Sequence, residues 1–263
     1  MFNRFVFDNI CCDEYGLKCA LFDISGKQTF NTQTTNLETE KSILGNNYNI
    51  ISQEYNGPLE YTMQVINRDY SPIMQYQERA IKKWLCKRNQ YKMFAILDKR
   101  YADICFFANI NNPKSIWIND VNGLEFTVTT NSATAYSDER NNTYDFNGTS
   151  SISIYVDNDE ELPIYPSMII TAKQNGDLII RNQSNPDSSR NAFIIKNLKA
   201  NEVITINAAY PIIESSDIGH NKNIYNDINK EWFYFIDGYN NVYANLPCAI
   251  NFSYREYRKV GLV

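Results

Sequence analysis

The sequence predicts a mainly β chain of two domains, the first carrying one α-helix and the second an all-β sandwich. Three observations carry this. Apolar and polar residues alternate with period two along most of the chain. Only Ser71 to about Lys87 holds an apolar stripe at helical spacing. A polar, aperiodic stretch from Asn131 to Asn147 then separates a helix-containing half from a half of short strands at regular spacing.

The elements follow in chain order. In Leu59 to Val65, Leu59, Tyr61, Met63 and Val65 share one face, and Glu60, Thr62 and Gln64 the other. That is the pattern of a half-buried strand. Ser71 suits an N-cap and Pro72 the first helical position, so the helix is expected to start there. Met74, Ile81, Trp84 and Leu85 form its apolar stripe, and Glu78 with Lys82 an i,i+4 pair. Its exposed face reads basic, with Arg79, Lys82, Lys83, Lys87 and Arg88. Tyr91 to Leu97 and Tyr101 to Ala108 are apolar on both faces, are joined by Asp98-Lys99-Arg100, and predict strands buried on both sides. Glu125 to Thr130 alternates, with Phe126 and Val128 inward.

In the second half about eight strands are expected. Ser151 to Val156 groups Ile152, Ile154 and Val156. Met168 to Lys173 and Asp177 to Arg181 flank Asn175-Gly176, which predicts a tight hairpin because both central residues of a type I′ turn need positive φ. Phe193 to Leu198 and Val203 to Ala208 flank a short polar turn. Trp232 to Ile236 and Val242 to Ala244 flank Asp237 to Asn241. Cys248 to Tyr254 places Cys248, Ile250, Phe252 and Tyr254 together.

Composition narrows the function classes. The chain has 263 residues, 43% hydrophobic, 14% aromatic and 21% charged. Those values exclude a disordered or collagen-like chain. A chain of 30.5 kDa can bury roughly 73% of its unfolded surface, so its core needs no staples. No run approaches 18 apolar residues, so no membrane helix is expected. The opening Met-Phe-Asn-Arg-Phe-Val-Phe-Asp does not read as a signal peptide. The net charge of −5 gives no basic footprint for nucleic acid. Six cysteines, with Cys11 and Cys12 adjacent and no Cys-x-x-Cys, read as reduced thiols rather than a disulfide framework or zinc site.

Chemistry is scarce. No Gly-rich phosphate loop and no G-x-S-x-G elbow occurs. His220, the single histidine, has no acid following it at a telling spacing and reads as a loop histidine. Asp157 to Glu161 offers oxygen ligands for calcium but lacks the glycine and closing glutamate of an EF-hand, and reads as a solvated turn. No pair of carboxylates is singled out for glycoside hydrolysis. No cofactor, metal or catalytic residue is assigned, and the chain is not expected to be an enzyme. Trp232, Tyr234, Tyr239 and Tyr243 lie close in sequence. Trp232 and Tyr239 are candidate glycan contacts if exposed, with core packing as the plainer alternative.

A family resemblance gathers these pieces. Tyr55 to Pro72, then Glu78-Arg-Ala-Ile-Lys-Lys-Trp-Leu85, then Tyr91 to Asp98 give a strand, a helix with an Arg-x-Ile-x-x-Trp-Leu core and a hairpin. That order resembles the N-terminal domain of the phage distal tail (Dit) family, and Phe5 to Asp8 and Gly123 to Ser137 also fit. The second half is similar to the family's galectin-like C-terminal sandwich, through Tyr165 to Ile170, Gly176 to Asn182, Ile195 to Asn207 and Trp232 to the final strand.

The resemblance implies an N-terminal β-sandwich or split-barrel domain with one α-helix over 1–138 and a galectin-like β-sandwich over 139–263, the last few residues able to return to the first domain. It implies a homohexameric ring at the virion tail tip, or in a tail-derived bacteriocin particle, synthesised and assembled in the bacterial host cytoplasm. The first domain would build the ring, which joins the major tail tube protein to a tail-associated (Tal-like) baseplate hub protein. The second domain would face outward and could carry receptor-binding proteins. Nucleic acid and membrane are not expected partners. First-domain edge strands and the helix face, Arg79, Lys82, Lys83 and Lys87, are the interface candidates. The alternative is a carbohydrate-binding adsorption module acting through the second sandwich, although the galectin sugar signature is not reproduced around His220 and Trp232.

Overall fold

The computed structural model describes residues 4–20, 34–43, 45–118, 121–186 and 192–260. The chain is mainly β and divides into two compact units, Met1–Ser137 with Arg258–Val263, and Asp138–Tyr257. Each encloses its own apolar cluster. No helix among the described residues is long and apolar enough to cross a membrane.

In the first unit an antiparallel sheet runs in the order Ile10–Cys11, Phe5–Phe7, Lys92–Ile96, Ile104–Ile118, Val121–Thr130, Glu60–Asn67, Leu17–Cys19. The sheet curls, because a single 3-10 turn, Cys12–Tyr15, joins its two end strands. Ala135–Ser137 pairs alongside Ile104–Ile118. Inward positions alternate as period two requires: Met63 and Val65, Phe94 and Ile96, Phe106, Ala108 and Ile110, Phe126 and Val128 are all buried. Burying each large side chain contributes about 1.5–3 kcal/mol.

The helix spans Gln75–Leu85 and buries Ile81, Trp84 and Leu85. It starts later than Ser71 and Pro72 suggest. Asn67 Nδ2 donates to the Ser71 carbonyl at 3.1 Å, and Asn122 Oδ1 accepts from Ile73 N at 2.5 Å, so Ser71 to Ile73 stays extended. The cap is instead the Gln77 side chain, whose Oε1 accepts from Met74 N at 2.9 Å. Met74 thus leaves the expected apolar stripe and is exposed. Trp84 stacks on Tyr15 at 4.5 Å and on Phe5 at 5.7 Å, and its Nε1 donates to the Phe7 carbonyl at 3.0 Å.

Three further expectations need correction here. Tyr91 and Leu97 are exposed, so the 92–96 strand buries one face rather than two. Tyr101 belongs to a 3-10 turn over Lys99–Tyr101, capped by Asp98, whose Oδ1 accepts from Arg100 N at 3.0 Å. The next strand does not end at Ala108 but runs Ile104–Ile118. It passes Asn112-Pro113 through a bulge where Asn112 takes φ 51°, which absorbs a proline that otherwise stops a ladder.

The second unit is a sandwich of a five-stranded and a four-stranded sheet, nine strands among the described residues where about eight are expected. Two strands were not expected, Ile212–Ser215 and, inside the stretch read as a polar boundary, Arg140–Phe146. The latter lies at a sheet edge, paired along the length of Cys248–Tyr254, and its exposed residues hide the alternation. The five-stranded order is Arg140–Phe146, Cys248–Tyr254, Ser167–Ala172, Val203–Asn207, Ile212–Ser215. The four-stranded order is Ser150–Val156, Gly238–Ala244, Gly176–Asn182, Ala192–Leu198. Ile170, Ile204, Ile250 and Phe252 of one sheet meet Val156, Leu178, Ile180 and Val242 of the other in a single core.

The expected Asn175-Gly176 hairpin is an arch between the two sheets. Ser167–Ala172 pairs with Cys248–Tyr254 and Val203–Asn207, whereas Gly176–Asn182 pairs with Ala192–Leu198 and Gly238–Ala244. Asn175 Oδ1 accepts from Ala200 N at 2.6 Å instead of closing a two-residue turn. Gly176 takes φ 149°, and a Cβ there would lie 3.2 Å from Leu246 Cδ1. Trp232 to Ile236 is likewise not a strand. It makes one bridge, Phe235 to Ile164, and the strand begins at Gly238, inside the expected turn.

Candidate functional site

The residues read as a basic helix face separate into two groups. Arg79 and Lys83 are exposed, one helical turn apart, and form no ion pair among the described residues. Lys82 is half-buried and paired with Glu78. Lys87 lies beyond the helix end, where its carbonyl accepts from Asn109 Nδ2 at 2.8 Å. The exposed cations on the helix itself are therefore Arg79 and Lys83, with Arg88 exposed just beyond its end.

The aromatic candidates of the second unit are not brought together. Trp232 is half-buried, stacks on Phe193 at 6.3 Å and packs on the core. Tyr239 is 71% exposed, alternating along its strand with the buried Asn240. It faces Tyr155 across the sheet, ring centroids 5.0 Å apart.

His220 is not a loop histidine. It lies in a short helix, Ile218–Asn221, with its side chain buried between two carboxylates. Nδ1 is 2.5 Å from Glu202 Oε1, and Nε2 is 3.3 Å from Asp227 Oδ2 but out of hydrogen-bond alignment. Ser215 Oγ donates to the same Glu202 oxygen. The serine and the imidazole share one carboxylate oxygen and no imidazole nitrogen is bonded to the hydroxyl, so the cluster reads as a clasp rather than a Ser-His pair. Glu202 precedes His220 by too long a stretch for spacing to reveal it.

Metal-binding capacity is poor where it exists. Among the described residues, the ligand atoms of Asp157 to Glu161 do not converge. Asn158 of that turn is spent on the Glu160 and Leu162 carbonyls. Cys11, Cys12 and Asp13 do converge. Yet Asp13 is ion-paired to Arg4 and Arg68, and burial pushes the Cys12 thiol up to about 11. Two cations beside the group and a protonated thiol both oppose a metal ion. All six cysteines are thiols, and burial raises Cys248 to about 12.

One surface was not singled out by the sequence pattern. Thr35–Lys41 and Tyr48–Tyr55 form a separate two-stranded antiparallel sheet, exposed almost throughout. Its register puts Leu37, Thr39, Tyr48, Ile50 and Tyr55 on one face, and Asn36, Glu38, Glu40, Asn49, Ser52 and Glu54 on the other. The hairpin is thus largely apolar on one side, which also carries Thr35, Lys41 and Gln53, and acidic on the other. A bulge between Glu38 and Thr39 throws Ile51 out of the ladder. Leu37, Tyr48, Ile50 and Ile51 are 54–66% exposed. A lone two-stranded ribbon is marginally stable in water, so an apolar face of this kind calls for a covering surface. The signal was present as alternation of Leu37 with Glu38 and of Thr39 with Glu40, but the mixed composition masked it.

A family model described as Phage tail protein N-terminal domain matches residues 1–132, and one described as Phage tail C-terminal domain matches residues 134–254. No curated protein matches the sequence. Among solved structures, the chain is similar to the Dit (gp 19.1) protein of SPP1, described as a paradigm of hub adsorption apparatus in phages infecting Gram-positive bacteria. The TM-score is 0.65 at 8% identity, over 97% of this chain and 99% of that one. It is also similar to a chain of the phage P2 baseplate in its activated conformation with Ca, at TM-score 0.53 and 9% identity over 100% of both chains. The corresponding structure with Sr gives 0.55 and 9%, over 100% of this chain and 99% of that one. At such identities the likeness is one of fold.

Proposed function

This chain belongs to the phage tail protein family, and from that membership we propose that it is the distal tail hub of the virion, a non-enzymatic structural protein. In this reading six copies form a ring through the first unit, joining the tail tube protein to a Tal-like baseplate protein. The second, galectin-like unit faces outward, where receptor-binding proteins attach. Tail tip or tail-derived bacteriocin particle is the expected location, after synthesis in the host cytoplasm.

The observation that carries the reading is the hairpin over 35–55. Its apolar face lies in water in the single chain, and a ring of copies supplies the cover. Cyclic rings join unlike patches of neighbouring copies, and an amphipathic ribbon is an unlike patch of that kind. The fold likeness to a hub protein over nearly the whole chain supports the same reading.

Light scattering on purified protein tests it. A species of six times 30.5 kDa, about 183 kDa, is expected. A mass that stays at that of one chain across concentration and salt would overturn a ring in solution.

The exposed Tyr155–Tyr239 pair favours a second reading, carbohydrate binding by the outer face of the four-stranded sheet, since sugar rings stack on exposed aromatics. Trp232 takes no part in it. Saturable quenching of tyrosine emission by cell-wall saccharides, lost in Tyr239→Ala, is the expected sign; quenching equal in both proteins would remove the reading.

A further inference from the structure

We propose that the acidic face of the 35–55 hairpin of one copy seats on the Arg79–Lys83 turn of the helix of a second copy. This rests on the ring reading and names the two sides of one contact within it.

Both sides carry charge that the single chain leaves unanswered. Glu38 accepts one hydrogen bond, from Ser52 Oγ at 3.2 Å, and Glu40 and Glu54 form no ion pair among the described residues. Arg79 and Lys83 form none either. By contrast, neighbouring charges are paired within the chain: Lys82 with Glu78, Arg68 with Asp13, Lys92 with Asp8, Lys114 with Glu125. Carboxylates without an ion pair thus stand on one face of the hairpin, and cations without one on the exposed side of the helix.

The spacings also match. Residues four apart on a helix are separated by about 6 Å along its axis. Residues two apart on a strand are separated by about 6.8 Å. Glu38 and Glu40 point from the same face of one strand, and Arg79 and Lys83 from the same side of one helix. Two carboxylates can therefore meet two cations without either element bending. Arginine adds a fork that a carboxylate accepts in two places.

The whole-chain charge makes the local match matter more. At −5 each, copies repel on average. A complementary patch overcomes that locally, orients the encounter and fixes which element meets which. The hairpin and the helix are different patches of one chain, so the contact is head-to-tail and propagates from copy to copy until the rotation closes.

The test uses two full-length charge reversals, Glu38→Arg with Glu40→Arg, and Arg79→Glu with Lys83→Glu. All four positions are at the surface or partnered only weakly, so both proteins should melt as the wild type does. Each alone is expected to fall from ring mass to single-chain mass, with association weakened at least tenfold. The first protein has a basic hairpin and a basic helix, the second an acidic hairpin and an acidic helix. Mixed one to one, they are expected to regain the ring mass as an alternating assembly, and the chain carrying all four changes should regain it alone. Wild-type assembly should also weaken between 0.05 and 0.5 M salt, because exposed charges are screened there. A wild-type ring with unaffected variants, or a mixture that stays at single-chain mass, would overturn this contact and leave the ring standing. A wild-type chain that never associates would overturn both.

Discussion

Trp84→Ala is expected to destabilise the first unit by about 3–5 kcal/mol. A domain is usually stable by only about 5–15 kcal/mol, so this single change removes a large share. Trp84 is buried, stacks on Phe5 and Tyr15, and meets Phe7 edge-on at 6.4 Å. It therefore locks the helix onto the strand Phe5–Phe7 and the 3-10 turn that curls the sheet. Alanine would leave a cavity among three aromatic rings and withdraw the donor from the buried Phe7 carbonyl. Trp84→Phe, which keeps a ring but cannot donate, should cost about 1–3 kcal/mol. Urea unfolding followed by circular dichroism reads both. An alanine variant with an unchanged midpoint but a lost assembly would place the ring in an interface instead of the core.

Asn240→Ala should cost the second unit about 3 kcal/mol or more, a large effect for so small a truncation. Asn240 is fully buried in the four-stranded sheet. Its Oδ1 accepts from Ile236 N at 2.9 Å and from Asn182 Nδ2 at 2.6 Å, and its Nδ2 donates to the Ile236 and Gly238 carbonyls at 2.8 and 3.0 Å. All four bonding positions of the amide are used. The side chain thus does for Ile236 what a neighbouring strand would otherwise do. Removing it orphans several buried groups at once. Asn240→Asp keeps the shape and the acceptors but loses both donations and buries a charge, so it should be at least as damaging. A tolerated aspartate would show that packing, not hydrogen bonding, decides this site. The midpoint of unfolding should move while its denaturant slope stays constant.

How legible the molecule was in its sequence varies with the range of the interaction. The inward faces of Glu60–Asn67, Val121–Thr130 and Cys248–Tyr254 could be read directly, since alternation states which side is apolar. So could the Ile81, Trp84, Leu85 stripe. The helix start could not, because Asn67 and Asn122 hold Ser71 to Ile73 extended from outside the segment. Arg140–Phe146 was hidden because an edge strand shows most of its side chains to water. The hairpin over 35–55 was hidden because the residues of both its faces are almost all exposed. His220 looked isolated because its partners, Glu202 and Asp227, reach it only through the fold.

Taken by itself, the sequence determined the mainly β class, the helix that ends at Leu85 and most buried faces, because each depends on local period and composition. Which strand lies beside which was decided only by tertiary structure. Asn175-Gly176 carries the strongest local hairpin signal in the chain, yet it became an arch. Burying Ile170 and Ile180 in one core requires their strands to face each other across the sandwich, not to lie side by side in one sheet. Alternation specifies a face and leaves the neighbour open. The neighbour is set by long-range burial, which outweighs the preference of two turn residues.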